Sequence, residues 1–290
     1  MKAAAFKYHD PTTVKELVDL IGSLEEAKLL AGGQSLMPML NLRLAQPDHL
    51  IDLNTVDGLD TIEQSGTGLR VGAMVRQASL MKNSDIASRI PIMAEALQCV
   101  GHFQTRNRGT IGGSLSHLDP TAELPAVALL YDSRLTVEGP GGSRVVDMRD
   151  WPVSFLLPDL EEDEVLTSIE FPYWQEPHGH AFEEFSRRSG DFAIVAVGVL
   201  LAVNDGLITR SAVSIAGTQP TPSRLDEVEA ALIGQPASPE TFRDAAHMVA
   251  KREAMSDTFV NERYRRRLSR ILTERALAKA ANRAVQEADR

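Results

Sequence analysis

The sequence predicts an α+β protein in which an α/β domain precedes an antiparallel sheet and a helical tail. Three observations indicate this order. In the first half, short strand-like runs alternate with helical patterns, which is typical of α/β folds. An apolar run over residues 192–203 then meets Asn204-Asp205-Gly206, a signal for an antiparallel hairpin. From Asp226 onward, apolar residues recur at helical spacing.

The first predicted elements are a helix and two strands. A helix is predicted over residues 12–21, with Thr12 or Thr13 as its N-cap, because the apolar positions that follow share one helical face. Residues 27–30 predict a short strand that leads into a glycine-rich segment. Residues 51–53 predict a second strand, so the chain begins with alternating strands and helices.

The middle of the chain predicts a second group of strands around a helical region. Alternating polarity over residues 69–73 predicts a half-buried strand. Residues 77–100 predict two helices that are separated near Pro91. Residues 135–146 predict a hairpin around a glycine cluster, and residues 165–171 predict one further strand.

A domain boundary is predicted where Pro177 and Gly179 interrupt the pattern. We therefore expect one domain over residues 1–175 and a second over residues 176–290. The second should contain a three-stranded antiparallel sheet and three helical segments, the last of them capped by Asn261. Five arginines of that segment are expected on a solvated or partner-facing side: Arg263, Arg265, Arg266, Arg267 and Arg270.

Composition restricts the possible functions. The chain has 290 residues and a net charge of −10, which argues against general nucleic-acid binding. No uncharged run reaches membrane-spanning length, so we expect a cytoplasmic protein without a membrane span. Cys99 is the single cysteine, and its apolar neighbours predict a buried, inert thiol. The chain alone therefore cannot build a disulfide or an iron–sulfur cluster, and we expect no metal site in it.

Two glycine-rich segments share a pattern of paired glycines, a small hydroxyl residue and leucine. The first is Ala31-Gly32-Gly33-Gln34-Ser35-Leu36, and the second is Gly109-Thr110-Ile111-Gly112-Gly113-Ser114-Leu115. Glycines allow consecutive N–H groups to converge on one anion. Neither segment is a P-loop or a Gly-x-Gly-x-x-Gly motif, and a lone pair of glycines is more typical of a tight turn. Together, the two segments predict two loops that bind the two phosphates of a dinucleotide from opposite sides.

Charged residues flank the second segment. Arg106 and Arg108 precede it, where guanidinium groups suit phosphate oxygens, although a salt bridge to a nearby carboxylate is the alternative. After the segment, Asp119 and Pro120 resemble the start of a helix, with Asp119 as its N-cap and Glu123 one turn later. His102 has no second histidine at ligand spacing and is interpreted as a structural residue.

These segments together resemble the FAD-binding medium subunit of the molybdenum hydroxylases, the family that includes carbon monoxide dehydrogenase and xanthine dehydrogenase. The matching sequence segments occur in the family's order and span most of the chain. They are Ala31-Gly32-Gly33-Gln34-Ser35-Leu36 with Pro38, Ile51-Asp52-Leu53, Arg106-Asn107-Arg108-Gly109-Thr110-Ile111-Gly112-Gly113, Asp119-Pro120 with Glu123, and Gly190-Asp191-Phe192-Ala193. The combination of segments is specific for this family, whereas no single segment is.

The resemblance implies a two-part α/β FAD-binding domain of the vanillyl-alcohol-oxidase type, followed by the antiparallel sheet and three helices. It implies that backbone N–H groups of both loops hold the FAD diphosphate, together with the hydroxyls of Ser35, Thr110 and Ser114. The residues that the resemblance places at FAD are Ala31, Gly32, Gly33, Gln34, Ser35, Leu36, Arg108, Thr110, Ile111, Gly112, Gly113, Ser114, Glu123, Leu160 and Phe192.

Three of these residues lie outside the two loops. By resemblance, Glu123 lies beside FAD, where a carboxylate can accept a hydrogen bond from a ribose hydroxyl or from the adenine amine. Backbone near Leu160 is implied to contact the flavin. Phe192 is implied to lie near the isoalloxazine ring, with ordinary core packing as the alternative.

The sequence departs from the family's pattern at two places. Ser114 stands where many relatives have asparagine, and it remains a polar partner. Glu183 and Glu184 stand where relatives often carry a lysine that can stabilise the reduced flavin anion. That role is then either missing or passes to Arg187 or Arg188.

No group of side chains predicts a catalytic residue, which suits a flavin protein because the flavin supplies its own redox chemistry. The resemblance implies an FAD-carrying electron-transfer subunit of a heteromeric molybdenum hydroxylase. A large subunit would carry molybdopterin and a small one [2Fe–2S] clusters, in a dimer of heterotrimers, and FAD would pass electrons to an external acceptor. The alternatives are a stand-alone flavin oxidoreductase, such as a relative of the enolpyruvylglucosamine reductases, and a docking subunit that has lost FAD.

Overall fold

The computed structural model describes residues 1–288 and begins with a small parallel sheet. Its elements are β1 (Lys7–His9), α1 (Val14–Ser23), β2 (Ala27–Leu30), α2 (Leu36–Asn41) and β3 (His49–Asp52). The strands lie in the order β1-β3-β2, and both neighbouring pairs are parallel. Helix α1 begins where the sequence predicted, because the Thr13 hydroxyl accepts a hydrogen bond from the Glu16 N–H at 3.2 Å.

A five-stranded antiparallel sheet with short helices forms the next part. This part contains seven strands, five in the large sheet and two in a separate pair. They are β4 (Ile62–Gln64), β5 (Gly68–Gly72), β6 (Arg134–Gly139), β7 (Gly142–Asp147), β8 (Pro152–Ser154), β9 (Leu157–Pro158) and β10 (Val165–Pro172). The helices are α3 (Gln77–Leu80), α4 (Ser84–Arg89), α5 (Ile92–Cys99), α6 (Phe103–Arg108), α7 (Ile111–His117) and α8 (Glu123–Leu130). The sheet order is β4-β5-β10-β6-β7, and β8 pairs with β9 separately. The two-part α/β arrangement is therefore confirmed.

Two local predictions for this part are wrong. Residues 77–100 form three helices and not two, because Asn83 caps an additional helix by accepting from the N–H groups of Asp85 and Ile86. The second wrong prediction is that Asp119 caps a helix. Its carboxylate accepts from the N–H and the hydroxyl of Thr121, at 2.8 and 2.6 Å, which closes a tight turn. Helix α8 therefore starts only at Glu123.

The carboxy-terminal part contains an antiparallel sheet and three helices. Its elements are β11 (Gly179–Ser186), β12 (Ala193–Asn204), β13 (Leu207–Ala216), β14 (Ser223–Arg224), α9 (Asp226–Leu232), α10 (Pro239–Val249) and α11 (Glu262–Ala288). Asp205 and Gly206 both have positive φ, 50° and 75°, so they form the tight hairpin that the sequence predicted. The Asn261 carboxamide accepts from the Tyr264 N–H at 2.9 Å and caps α11. The short β14 adds a fourth strand to the three predicted.

Arg265 corrects the expected solvated arginine face of α11. Its side chain is buried, and one guanidinium nitrogen donates to the carbonyl oxygens of Ile194 and Gly217, both at 2.5 Å. The Asp257 carboxylate pairs with the other nitrogen. Arg265 therefore fixes the helix to the ends of β12 and β13, whereas Arg263 and Arg267 are exposed as predicted.

Helix α8 joins the two large sheets. All of its residues are buried, which is typical of a helix that is apolar on every side. Its Leu130 lies against Gly198 of β12, where an added Cβ would be 2.7 Å from the leucine Cδ1. One hydrophobic core therefore contains residues from both sheets, such as Leu135 and Leu200. None of the helices within residues 1–288 is long and apolar enough to cross a membrane.

Glu95 links α5 to the carboxy-terminal part. Its carboxylate accepts from the Phe182 N–H at 3.0 Å and from the Arg283 guanidinium at 2.5 Å. Lys279 and His180 lie slightly farther away, at 3.6 and 3.7 Å. Burial opposes the charge of Glu95, but the Phe182 amide and Arg283 hold its pKa below the ordinary value.

Replacing Glu95 by glutamine is expected to lower the free energy of unfolding by about 1–3 kcal/mol, because Arg283 then loses its charged partner. Chemical denaturation of the full chain measures this change. Glu63→Gln, an exposed position on β4, is the matched control and should change little. Equal stabilities of the two variants would contradict the assigned role of Glu95.

Candidate functional site

The first glycine-rich segment forms a loop at the carboxyl edge of the parallel sheet. It leaves β2 at Ala31 and enters α2 at Leu36. Gly33 has φ of +71°, a conformation that side chains disfavour, so glycine is favoured there. Because β2 and β3 are parallel neighbours, Asn54, which follows β3, lies at the same edge.

The second glycine-rich segment touches the first. An ideal Cβ on Gly32 would lie 2.3 Å from the carbonyl oxygen of Arg108 and 2.8 Å from the Cα of Gly109. A Cβ on Gly113 would lie 3.4 Å from the Cβ of Ala31. The prediction that the two segments come together is confirmed by these contacts.

The first loop presents a row of free donors. Within residues 1–288, the backbone N–H groups of Gly32, Gly33, Gln34 and Ser35 have no hydrogen-bond acceptor. The Ser35 hydroxyl makes no capping bond to α2. Consecutive unpaired N–H groups beside a tight glycine turn are suited to bind an anion.

The second loop differs, because its N–H groups already have acceptors. The Ile111 N–H donates to Val75 at 3.1 Å and the Gly112 N–H to Ala73 at 2.8 Å. The Gly113 N–H donates to the Thr110 hydroxyl at 3.1 Å and the Ser114 N–H to the Thr110 carbonyl at 3.2 Å. These four N–H groups therefore have acceptors within this chain, and their binding of a diphosphate stays a prediction. The bonds of Ile111 and Gly112 dock α7 on the segment that follows β5. Thr110 is buried, whereas the Ser114 side chain is half-buried.

The two arginines before the second loop have different surroundings. Arg106 donates to the carbonyl oxygens of Val100 and Gly101, at 2.6 and 3.2 Å, so it caps the chain after α5. It matches neither the phosphate role nor the salt bridge that the sequence left open. Arg108 is exposed, and its guanidinium has no hydrogen bond or ion pair within the described residues. Arg108 is therefore free to neutralise an anion.

Glu123 is buried beside a second carboxyl group, Glu184. Burial, the negative charge of Glu184 and that of Asp119 raise the pKa of Glu123 to about 8. Burial likewise raises the pKa of Glu184 to about 7. These shifts favour the protonated forms of the two carboxyl groups near neutral pH, and the place of Glu123 beside FAD stays a prediction. Burial and these carboxylates raise the pKa of the nearby Cys99 thiol to about 12, which agrees with an inert thiol.

Phe192 and Leu160 have different exposures. The Phe192 side chain is 73% exposed, which excludes ordinary core packing. Its loop lies against the residue that precedes α6, because a Cβ on Gly190 would be 2.6 Å from the His102 ring. Leu160 is half-buried and packs on the main core, and its N–H donates to Pro158 at 2.9 Å.

Of the cations near Glu183 and Glu184, Lys279 and Arg187 have partners within this chain. Glu183 pairs with Lys279 at 3.2 Å, so a lysine from α11 lies next to this strand. The Arg187 guanidinium stacks on the Phe259 ring, 5.3 Å from its centroid. Arg188 is exposed. The structure therefore holds Lys279 and Arg187 in contacts with this chain's own side chains.

Sequence reasoning missed two residues that connect the loops. Asn54 donates to the Ala31 carbonyl oxygen, and Arg76 donates both to Asn54 and to the Arg108 carbonyl oxygen. Asn54 could have been noticed, because it follows a strand whose parallel neighbour leads into the first loop. Nothing in the sequence indicated Arg76, since its partners come from distant segments.

Comparison with known proteins identifies the family. The family described as the FAD binding domain in molybdopterin dehydrogenase matches residues 4–174, and the CO dehydrogenase flavoprotein C-terminal domain matches residues 180–280. The nicotine 6-hydroxylase medium subunit of Paenarthrobacter nicotinovorans is 35% identical over 98% of this chain and 100% of its own. The carbon monoxide dehydrogenase medium chain of Hydrogenophaga pseudoflava is 34% identical over 94% of this chain and 96% of its own.

A solved structure agrees with the sequence comparisons. It is a carbon monoxide dehydrogenase from Hydrogenophaga pseudoflava that lacks the Mo-pyranopterin moiety of the molybdenum cofactor. The TM-score is 0.95 at 35% identity, and the match covers 98% of this chain and 99% of that one. The relatives are oxidoreductase subunits of multi-subunit complexes. This chain therefore belongs to the FAD-binding medium subunits of the carbon monoxide dehydrogenase and molybdenum hydroxylase family.

Proposed function

We propose that this chain carries FAD and transfers electrons within a heteromeric molybdenum hydroxylase. The observation that carries the proposal is the first loop, whose free N–H groups at residues 32–35 lie where the second loop touches it. A diphosphate needs clustered donors because its oxygens are negatively charged. Family membership supports FAD as the dinucleotide.

The two loops then have different tasks. The N–H groups of residues 32–35 donate to phosphate oxygens, and the backbone of Ala31 and Leu36 holds the loop between β2 and α2. The hydroxyls of Ser35, Thr110 and Ser114 add donors to the same anion. Arg108 supplies the positive charge, and Ile111, Gly112 and Gly113 position the second loop through their own backbone bonds.

The remaining predicted residues would serve other parts of the cofactor. Protonated Glu123 donates to Glu184, and its second oxygen is available to accept from a ribose hydroxyl or the adenine amine. The exposed Phe192 ring is free to cover the flavin ring. Backbone near Leu160 would contact the flavin, and the Gln34 carboxamide, which donates to Gly32 at 3.2 Å, would brace the first loop.

Bound FAD would supply two-electron and one-electron redox chemistry, which the protein's own side chains cannot provide. We propose that the electrons come from iron–sulfur clusters on a small partner chain, since the single cysteine here cannot hold one. A large partner chain would carry molybdopterin, in a dimer of heterotrimers. The relatives' being medium subunits supports such partners. The boundary between residues 1–175 and 176–290 and the cytoplasmic location stay predictions.

Two other functions make different predictions. A stand-alone flavin oxidoreductase would oxidise or reduce a substrate without partner chains. A docking subunit without FAD would assemble with partners but bind no flavin. The intact glycine pairs of both loops, which touch each other, speak against the docking subunit.

Purification of the full chain, alone and with the partner chains that co-purify, tests the proposal. We expect a flavin absorbance spectrum, release of FAD on denaturation, and partners that contain molybdopterin and iron–sulfur clusters. Failure of the chain to bind added FAD would favour the docking subunit. Substrate turnover by the isolated, FAD-loaded chain would favour the stand-alone enzyme.

A further inference from the structure

Two side chains connect the glycine loops end to end. The Asn54 Nδ2 donates to the carbonyl oxygen of Ala31 at 3.2 Å. The Asn54 Oδ1 accepts from one guanidinium nitrogen of Arg76, and the other nitrogen donates to the carbonyl oxygen of Arg108. We call Asn54 and Arg76 the strut, because both of its ends are backbone carbonyls of the two loops.

Each member of the strut is itself held in place. The Asp52 carboxylate accepts from both the backbone N–H and the side chain of Asn54, and it also accepts from the Tyr8 hydroxyl at 2.7 Å. Arg76 precedes Gln77, whose N–H donates to the Gly109 carbonyl oxygen at 2.9 Å. The backbone around Arg76 is therefore bonded to the second loop as well. Neither side chain can move without breaking several hydrogen bonds.

The contact that the strut spans is a tight one. Gly32 packs on the same Arg108 carbonyl group that accepts from Arg76. A small shift of that carbonyl would change the separation between the first loop, with its free N–H groups at residues 32–35, and the second loop. Groups that bind one ligand from two segments lose affinity when their separation changes.

We propose that Asn54 and Arg76 are positioning residues that fix the separation of the two loops and thereby the affinity for the FAD diphosphate. The inference rests on the proposed function, since it assumes that the loops bind this group. Arg76 suits the task because its planar fork donates to two acceptors in a fixed geometry. A lysine at this position has the charge but not the fork.

An alternative role for Arg76 is that of a positive charge near the anion. Burial and Arg108 lower the pKa of Arg76, while Asp52 and Asp60 oppose this, and arginine remains charged at neutral pH. The two roles predict different results for Arg76→Lys. If charge alone mattered, lysine would restore binding. If the strut matters, lysine should be nearly as weak as glutamine.

Titration of FAD into the deflavinated full chain tests the strut. We expect Arg76→Gln, Arg76→Lys and Asn54→Ala each to weaken FAD binding by about 10-fold. The double variant Asn54→Ala with Arg76→Gln should lose little more FAD affinity than the single variant that binds FAD less tightly, because the two side chains act through one connection. FMN, which lacks the diphosphate, should lose less affinity than FAD in every variant.

A matched control is Arg70→Gln. Arg70 belongs to the neighbouring strand β5 and donates to the Ser168 hydroxyl at 3.1 Å, without contact to either loop. Its FAD affinity should equal that of the wild type. Thermal unfolding of each flavin-free variant checks that the chain is folded, and Asn54→Ala provides a small, uncharged change if Arg76 variants unfold.

The outcomes distinguish failure of the strut from failure of FAD binding. Wild-type affinity in the Arg76 and Asn54 variants, or full rescue by Arg76→Lys, would overturn the strut while leaving FAD binding intact. Equal losses for FAD and FMN would also overturn it, because the diphosphate would not be the affected group. A wild-type chain that binds no FAD would instead overturn the proposed function.

Discussion

Replacing Gly32 by alanine is expected to reduce FAD affinity by roughly 100-fold or more and to yield protein without flavin. The added Cβ would lie 2.3 Å from the Arg108 carbonyl oxygen and 2.8 Å from its carbonyl carbon. Both are backbone atoms, so no side-chain rotation can relieve the overlap. The two loops must separate, which changes the position of the free N–H groups of the first loop relative to the second loop.

The flavin-to-protein ratio of the purified variant and an FAD titration measure this effect. Gly66→Ala is the matched control, because a Cβ at Gly66 meets nothing within 4 Å, and it should retain full flavin. Gly33→Val would disturb the first loop for a different reason. The φ of Gly33, +71°, disfavours any side chain, whereas the atoms nearest to an added Cβ belong to the flexible side chains of Met37 and Leu30. Flavin retention by Gly32→Ala would contradict the binding of FAD between touching loops.

The stability of the protein is expected to fall as pH rises from about 5 to 8, by on the order of 3 kcal/mol from the Glu123 and Glu184 pair. The pKa values in the folded state, about 8 and about 7, lie above the ordinary value of 4.5. Folding therefore takes up protons in this window. The stabilisation from the protonated pair is fully present below the pKa of the carboxyl groups in the unfolded chain. It is lost as the pH rises through their pKa values in the folded protein.

Glu184→Gln isolates this contribution. An amide at position 184 can donate to ionised Glu123, so the pKa of Glu123 should fall and the dependence on pH should flatten. Thermal unfolding between about pH 5 and pH 9 measures the slope, and above pH 8 the variant should be the more stable protein. Cys99 and Asp119 also face the pair, but the pKa of Cys99 is raised to about 12, above this window.

Glu183→Gln is the control for this experiment. Glu183 neighbours Glu184 in β11 but pairs with Lys279, so its loss should shift stability without changing the slope. Identical slopes for the wild type and Glu184→Gln would refute the raised pKa values of this pair. That result would also restore Glu123 as an ionised acceptor at neutral pH.

Much of the fold could be predicted from local signals. The N-caps at Thr13 and Asn261 and the Asp205-Gly206 turn were all placed correctly, because each depends on hydrogen bonds within a few residues. The start of α8 was misplaced, since Asp119 bonds to Thr121 and not to a helical N–H. The Asp119 carboxylate can accept either from Thr121 or from an N–H group in the first turn of a helix, and the sequence does not choose between them.

By itself, the sequence determined the two glycine-rich segments, the order of elements and the family they resemble. Only the tertiary structure decided which loop keeps its N–H groups free, because the acceptors Ala73 and Val75 come from a different segment. It also decided that Arg265 is buried and that Glu123 faces Glu184. Hydrogen-bond partners and pKa values depend on groups distant along the chain, whereas caps and turns depend on neighbours.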